Sequence, residues 1–195
     1  VVRDKYKPRL PGYAMEMDMI TMSDRSIEGH KYLIVLKCRS TSYHIVIPIK
    51  SKSDATMAIA ECIRMLRKNP AYNKYSYDMI QHIKTDMDGS WRHDNAEWEE
   101  QICKRLGVEM EYISPDRHEQ AGGAERTCGI IECIIKSLLM QNNLSPDWWC
   151  RAAAEAAFLV NRFPPVSGEL EVPLDGARSR PLEVFTDGQY SRDQI

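Results

Sequence analysis

The segment "HIKTDMDG" (82–89) ends an apolar-leaning run with two aspartates one residue apart and then a glycine. Burying an unpaired carboxylate at a strand end is costly, so this pair either caps a turn in water or is held there to bind a cation. Asp18 raises the same question, because it interrupts the strand-like "YAMEMDMIT" (13–21). A third acid, Glu125, opens a helical run. Three acidic groups drawn together repel one another and are driven toward protonation unless a cation sits among them. Ligation by a few oxygens suits Mg2+ or Mn2+, which keep waters and accept substrate phosphates. Two such ions, about 3.5–4 Å apart, clamp a phosphodiester for in-line attack. Each residue also has a plainer reading. Asp86 can serve as a turn former and Glu125 as a partner of the helix dipole. Spacing alone does not make the three converge.

Whether they can meet depends on the elements that carry them. Alternation over 13–21 sets Met15, Met17 and Met19 on one face and Glu16, Asp18 and Ile20 on the other, a period of two. "KYLIVLKC" (31–38) and "SYHIVIPI" (42–49) read as two more strands joined by a short link, with Pro48 ending the third early or placing it at an edge. A helix is expected over 51–68, with Ser53 as N-cap and Met57, Ala60, Ile63, Met65 and Leu66 at helical spacing. Residues 69–77 read as a loop, 78–85 as a fourth strand, and 95–107 as a helix closed by Gly107. A short strand over 108–113 precedes a loop over 114–123 that contains a glycine pair. Helices over 124–141 and 146–163 follow, the second with Pro146 in its first turn. Three linked strands and then strands separated by helices predict an antiparallel meander with parallel additions. The fold class is α/β, a mixed five-stranded sheet flanked by helices. If the first and fourth strands are neighbours, Asp18 and Asp86 project from adjacent backbones, and the glycine loop can bring in Glu125.

At 195 residues the chain is long enough for one substantial domain. No apolar run approaches the roughly 20 residues that span a bilayer, so no membrane partner is expected. The six cysteines form no CxxC pair and fall mostly in apolar or helical patterns. They read as reduced, buried thiols of an intracellular protein, and Cys128 and Cys133 lack a His or Cys partner at zinc spacing. The net charge of −2 is unevenly spread. Residues 1–50 hold nine Lys/Arg against five Asp/Glu, whereas 81–125 hold five against eleven. An acidic centre with basic flanks suits a cation site beside a polyanion, and equally a solvated acidic helix.

The ordered segments "EMDMI", "KTDMDGSW", "GVEMEYISPDRHEQAGGAER" and "AAFLVNRFP" resemble the catalytic core of retrotransposon integrases, the copia (Ty1/copia) type especially, within the retroviral integrase superfamily. The resemblance runs from about Gly12 to Pro165. It implies an RNase H-like core over 13–163, preceded by a linker over 1–12 and followed over 164–195 by an extended or loop extension. The family's two aspartates and glutamate fall on Asp18, Asp86 and Glu125, which implies that these hold two Mg2+ or Mn2+ ions. The implied activity is metal-dependent processing of element DNA 3′ ends and their joining to target DNA. The implied partners are DNA, further copies of the chain and the rest of a Pol polyprotein. The implied location is a cytoplasmic particle and then the nucleus.

Asp88 matches a glycine of the family and is assigned to the turn, with exchange of roles between Asp86 and Asp88 as the alternative. Along the following helix, Arg126 and Lys136 are the expected contacts to DNA phosphates, joined by His118 and Gln120 on the preceding loop. The chain also departs from the family pattern. The 38 residues between Asp86 and Glu125 exceed the usual spacing, Ala121 stands in an asparagine place, and the run after the glutamate is "ERTCG". Gly129 in that run costs about 1 kcal/mol of helix stability relative to Ala. Two other readings therefore stay open. One is a decayed or domesticated core that binds nucleic acid or serves assembly without catalysis. The other is an RNase H-like nuclease acting on RNA–DNA hybrids.

Overall fold

In the computed structural model the five strands are ordered β3-β2-β1-β4-β5. The structure describes residues 10–69, 78–86, 91, 95–113 and 118–163, with the side chains of 118–125 outside the description. At the centre, β1 (Ala14–Thr21) pairs antiparallel with β2 (Tyr32–Cys38), which pairs antiparallel with β3 (His44–Ile49). On its other side β1 runs parallel to β4 (His82–Thr85), and β4 runs parallel to β5 (Glu109–Tyr112). This is the expected meander with parallel additions. Pro48 lies on edge strand β3, where a residue without an N–H is tolerated.

The period-two alternation of β1 and β2 gives the sheet two buried faces. Met15, Met17, Ile34 and Leu36 pack with Ile59, Ala60 and Ile63 of α1 (Ala55–Lys68). Trp98, from the short helical turn α2 (Ala96–Trp98), and Ile102, from the π-helical stretch Glu99–Lys104 that continues it, close the same layer. On the opposite face, Ile20, Leu33 and Val35 meet Ile131 and Ile135 of α3 (His118–Gln141). Trp149, Ala152, Ala153 and Ala156 of α4 (Trp149–Arg162) complete that layer, the small side chains of the three alanines letting the helix approach closely. Burying each large apolar side chain contributes about 1.5–3 kcal/mol. Asn161 ties α4 to the sheet edge: the His44 N–H donates to its Oδ1 at 2.7 Å, and its Nδ2 donates to the His44 carbonyl at 2.8 Å.

Several expectations need correction. The fourth strand starts at His82, not at 78, because Ile80 takes a positive φ of 55° that no continuous strand accommodates. There the Arg67 guanidinium takes the carbonyls of Met79, Ile80 and Leu106 at 2.7–2.8 Å. Ser51, not Ser53, caps the helix entry; its Oγ accepts from the Ser53 N–H, and the Asp54 carboxylate accepts from the Ser51 N–H. α3 begins at His118 and runs through the glycine pair expected to be a loop. Extending a helix already held by packing needs no new nucleus, so it tolerates about 1 kcal/mol per glycine. Met57 and Met65 are exposed while Ile59 and Cys62 turn inward. Only Cys38 and Cys62 of the six free thiols are buried. Gly107 does close its helix, at φ 65°, with the Val108 N–H returning to the Ile102 carbonyl. Asp88, the loop over 70–77, the segment 1–9 and the extension from 164 lie outside the described residues.

Candidate active site

The parallel register of β1 and β4 pairs Ala14 with His82, Met15 with Ile83 and Glu16 with Lys84. Carried two residues on, it sets Asp86 beside Asp18. Asp18 shares its side of β1 with Ile20, opposite Val35 of β2, and therefore lies on the α3 face. Its Oδ1 accepts the Met19 N–H at 2.7 Å. Asp86 follows the last residue of β4 and is exposed, and its Oδ1 accepts the indole N–H of the fully buried Trp91 at 3.2 Å.

A thiol on α3 lies within electrostatic reach of both acids. Burial raises the Cys128 pKa above its usual range, and the neighbouring Asp18, Glu132 and Asp86 carboxylates raise it further. Cys128 lies on α3, so this helix faces both strand-borne acids. The protonated thiol donates to Asp18. Glu125 lies on α3 one turn before Cys128, with its backbone helical and its side chain outside the described residues, as are those of His118 and Gln120. Arg126 is exposed on α3. Lys136 is also exposed and pairs with Glu132 at 2.8 Å, one turn back on the helix, which raises its pKa.

The same sheet face carries a charged cluster that the sequence reading did not single out. Glu111 of β5 lies 3.4 Å from Lys84, 3.5 Å from His82 and 3.8 Å from Arg39, and Arg39 also reaches Glu16 at 3.8 Å. His82 and Lys84 are 2% and 8% exposed, so the charges on this face are substantially desolvated. The only hint of it was the even-numbered polar residues of β1 and β4, where the alternation calls for an inward face.

No protein-family model matches the chain. Over 152 residues it is 25% identical to the retrovirus-related Pol polyprotein from transposon TNT 1-94 of Nicotiana tabacum, covering 78% of this chain and 11% of that polyprotein. Over 133 residues it is 25% identical to the retrovirus-related Pol polyprotein from transposon 412 of Drosophila melanogaster, covering 68% of this chain and 10% of the relative. The chain thus spans about a tenth of these curated relatives. Among solved structures, a chain of the simian T-cell lymphotropic virus intasome, in complex with PP2A regulatory subunit B56 gamma, aligns with TM-score 0.66 at 17% identity, covering 97% of this chain and 59% of that one. The HTLV-2 integrase catalytic core domain in complex with magnesium aligns with TM-score 0.58 at 19% identity, covering 90% and 97%. The relatives are retrotransposon Pol polyproteins and the structural neighbours are retroviral integrase cores, as the motif resemblance implied. The fold is the RNase H-like one of integrase catalytic cores.

Proposed function

We propose that this chain is the catalytic core of a DNA integrase, a polynucleotidyl transferase that trims element DNA 3′ ends and joins them to target DNA. The observation that supports this reading is the β1–β4 register, which, carried two residues on, aligns Asp18 with Asp86 on the α3 face, in a chain whose relatives are Pol polyproteins. The donor set fits a hard divalent cation: two carboxylates carried by adjacent strands and a third acid on the facing helix. Asp18, Asp86 and Glu125 would hold Mg2+ or Mn2+, two ions in our reading, and ions so held stabilise charge on a reacting phosphodiester. The chain supplies the orientation. The Trp91 indole fixes one oxygen of Asp86 and the Met19 N–H fixes one of Asp18, which limits how each carboxylate can turn.

Arg126 and Lys136, with His118 and Gln120, would meet DNA phosphates. Lys136 would exchange Glu132 for a phosphate, a small change because an exposed ion pair contributes little. Acting on two element ends calls for more than one copy of the chain, and we extend the reading to a homo-oligomer working within a Pol product. The test is Mn2+-dependent nicking of duplex DNA by the purified chain. Asp86→Asn should abolish it while Glu100→Gln, on the opposite side of the sheet, leaves it intact; equal nicking by both variants would refute the reading.

The Cys128 thiol, donating to Asp18, favours one other reading, a non-catalytic nucleic-acid-binding or assembly module. That reading predicts DNA binding indifferent to Mg2+ and to Asp86→Asn.

A further inference from the structure

Away from the carboxylates, the loop between β1 and β2 folds back on itself. The Gly29 N–H donates to the Ser26 carbonyl at 2.7 Å, the Ser26 N–H donates to the His30 carbonyl at 2.8 Å, and the His30 N–H donates to Ser26 Oγ at 3.2 Å. Gly29 has a φ of 85°, which a residue with a Cβ adopts only with strain. The loop is also pinned to the start of α4. The Ile27 N–H donates to the Asp147 carbonyl at 2.9 Å, and the Trp149 indole donates to the Asp24 carbonyl at 3.0 Å. This scaffold presents Glu28 and His30 to Cys150 in the first turn of α4, so that one ligand atom from each lies within 4.8 Å of the others.

From this convergence the geometry points to a zinc-class metal site built from Glu28, His30 and Cys150, clamping the β1–β2 loop to α4. The Cys150 Sγ and His30 Nδ1 are 3.4 Å apart. Two ligands at about 2.3 Å and 2.0–2.1 Å from a tetrahedral zinc stand roughly 3.5 Å apart, so this pair already has the required span. A thiolate and an imidazole select Zn2+ or Co2+ over Mg2+ or Ca2+, and the carboxylate makes the loaded site neutral overall. Glu28 is partly exposed, and one of its oxygens, Oε1, meets the Arg151 Nε at 3.3 Å. Its other oxygen can ligate while Arg151 holds the carboxylate from behind, the usual outer support of a metal ligand. The Ser26 Oγ, 3.3 Å from His30 Nδ1, would give up that hydrogen bond when the nitrogen takes the ion. Three protein ligands leave a fourth position for water. The site shares no residue with Asp18 and Asp86, so it stands whether or not the integrase reading does.

The experiment titrates the reduced, purified chain with Zn2+, and separately with Co2+, in the presence of excess Mg2+. We expect one zinc per chain and, with Co2+, a thiolate charge-transfer absorption. Zinc a hundredfold above its dissociation constant should raise the unfolding midpoint by about 5–10 °C. Cys150→Ser should abolish the absorption, while Cys128→Ser and Cys133→Ser keep it. Glu28→Gln, a change on a partly exposed side chain whose amide oxygen can still accept from the loop backbone and Ser26, should weaken zinc binding at least about tenfold. Failure of the wild type to bind zinc in excess Mg2+ would overturn the proposal. So would unchanged affinity in Glu28→Gln, or an absorption that follows Cys128 instead of Cys150.

Discussion

The two faces of the central strand do different work. One face of β1 offers Met15 and Met17 to α1, where the buried layer is mostly apolar, with Thr56 and Thr85 as its buried polar side chains. The other offers Glu16, Asp18 and Ile20, so the apolar layer under α3 and α4 gives way to carboxylates and ion pairs. A charge pair removed from water gains little net stability over an apolar pair of the same shape. Acids kept on an otherwise buryable face therefore point to a role other than holding the sheet together. Stability should concentrate on the methionine face, and chemistry on the aspartate face.

Perturbing each face separately breaks or sharpens that contrast. The largest effect expected is on chemistry. Asp18→Asn should lower metal-dependent DNA joining by about 10³-fold or more, a loss of roughly 4 kcal/mol in the barrier, with the unfolding midpoint hardly moved. Ile63→Ala, on the apolar face, should do the reverse. It should cost about 2–5 kcal/mol of stability, read by urea unfolding, and leave the activity of the folded fraction intact.

Acid should weaken the edge of the sheet. Burial, helped by the nearby Lys37 charge, lowers the His44 pKa from 6.5 to about 4. The unfolded chain takes up a proton near pH 6.5 and the folded one only near 4, so this contribution is complete above 6.5 and is lost as pH falls through that window. The loss reaches up to about 3 kcal/mol, and His44→Gln should flatten the pH dependence of the urea midpoint across it. Asn161→Ala, which removes both bonds to the His44 backbone, should cost about 2–3 kcal/mol. The smallest effect is expected from Trp91→Phe. It keeps an apolar ring but removes the donor to Asp86, and should weaken Mn2+ binding about tenfold by calorimetry.

From the sequence the alignment of Asp18 with Asp86 was conditional, because a meander followed by helix-separated strands leaves open which edge the fourth strand joins. The structure sets β4 beside β1, and their register, carried two residues on, aligns the two aspartates. The start of α3 was not legible, because local glycine propensity spoke against a helix that packing farther along sustains. The approach of His30 to Cys150, 120 residues away, had no local signature, since neither spacing nor composition reports a contact between a hairpin loop and a distant helix end. The desolvated Lys84 and Glu111 were hidden in the same way, because each looks like a solvent-facing residue until the neighbouring strands are in place.

The most direct test of the central claim is splicing of a branched DNA that mimics the strand-transfer product, run with Mn2+, Mg2+ or EDTA. The purified chain would be compared with Asp18→Asn, Asp86→Asn and Glu125→Gln. We predict metal-dependent splicing by the wild type and loss of it in all three variants. Metal-independent DNA binding by wild type and variants alike, without splicing by any of them, would contradict the account.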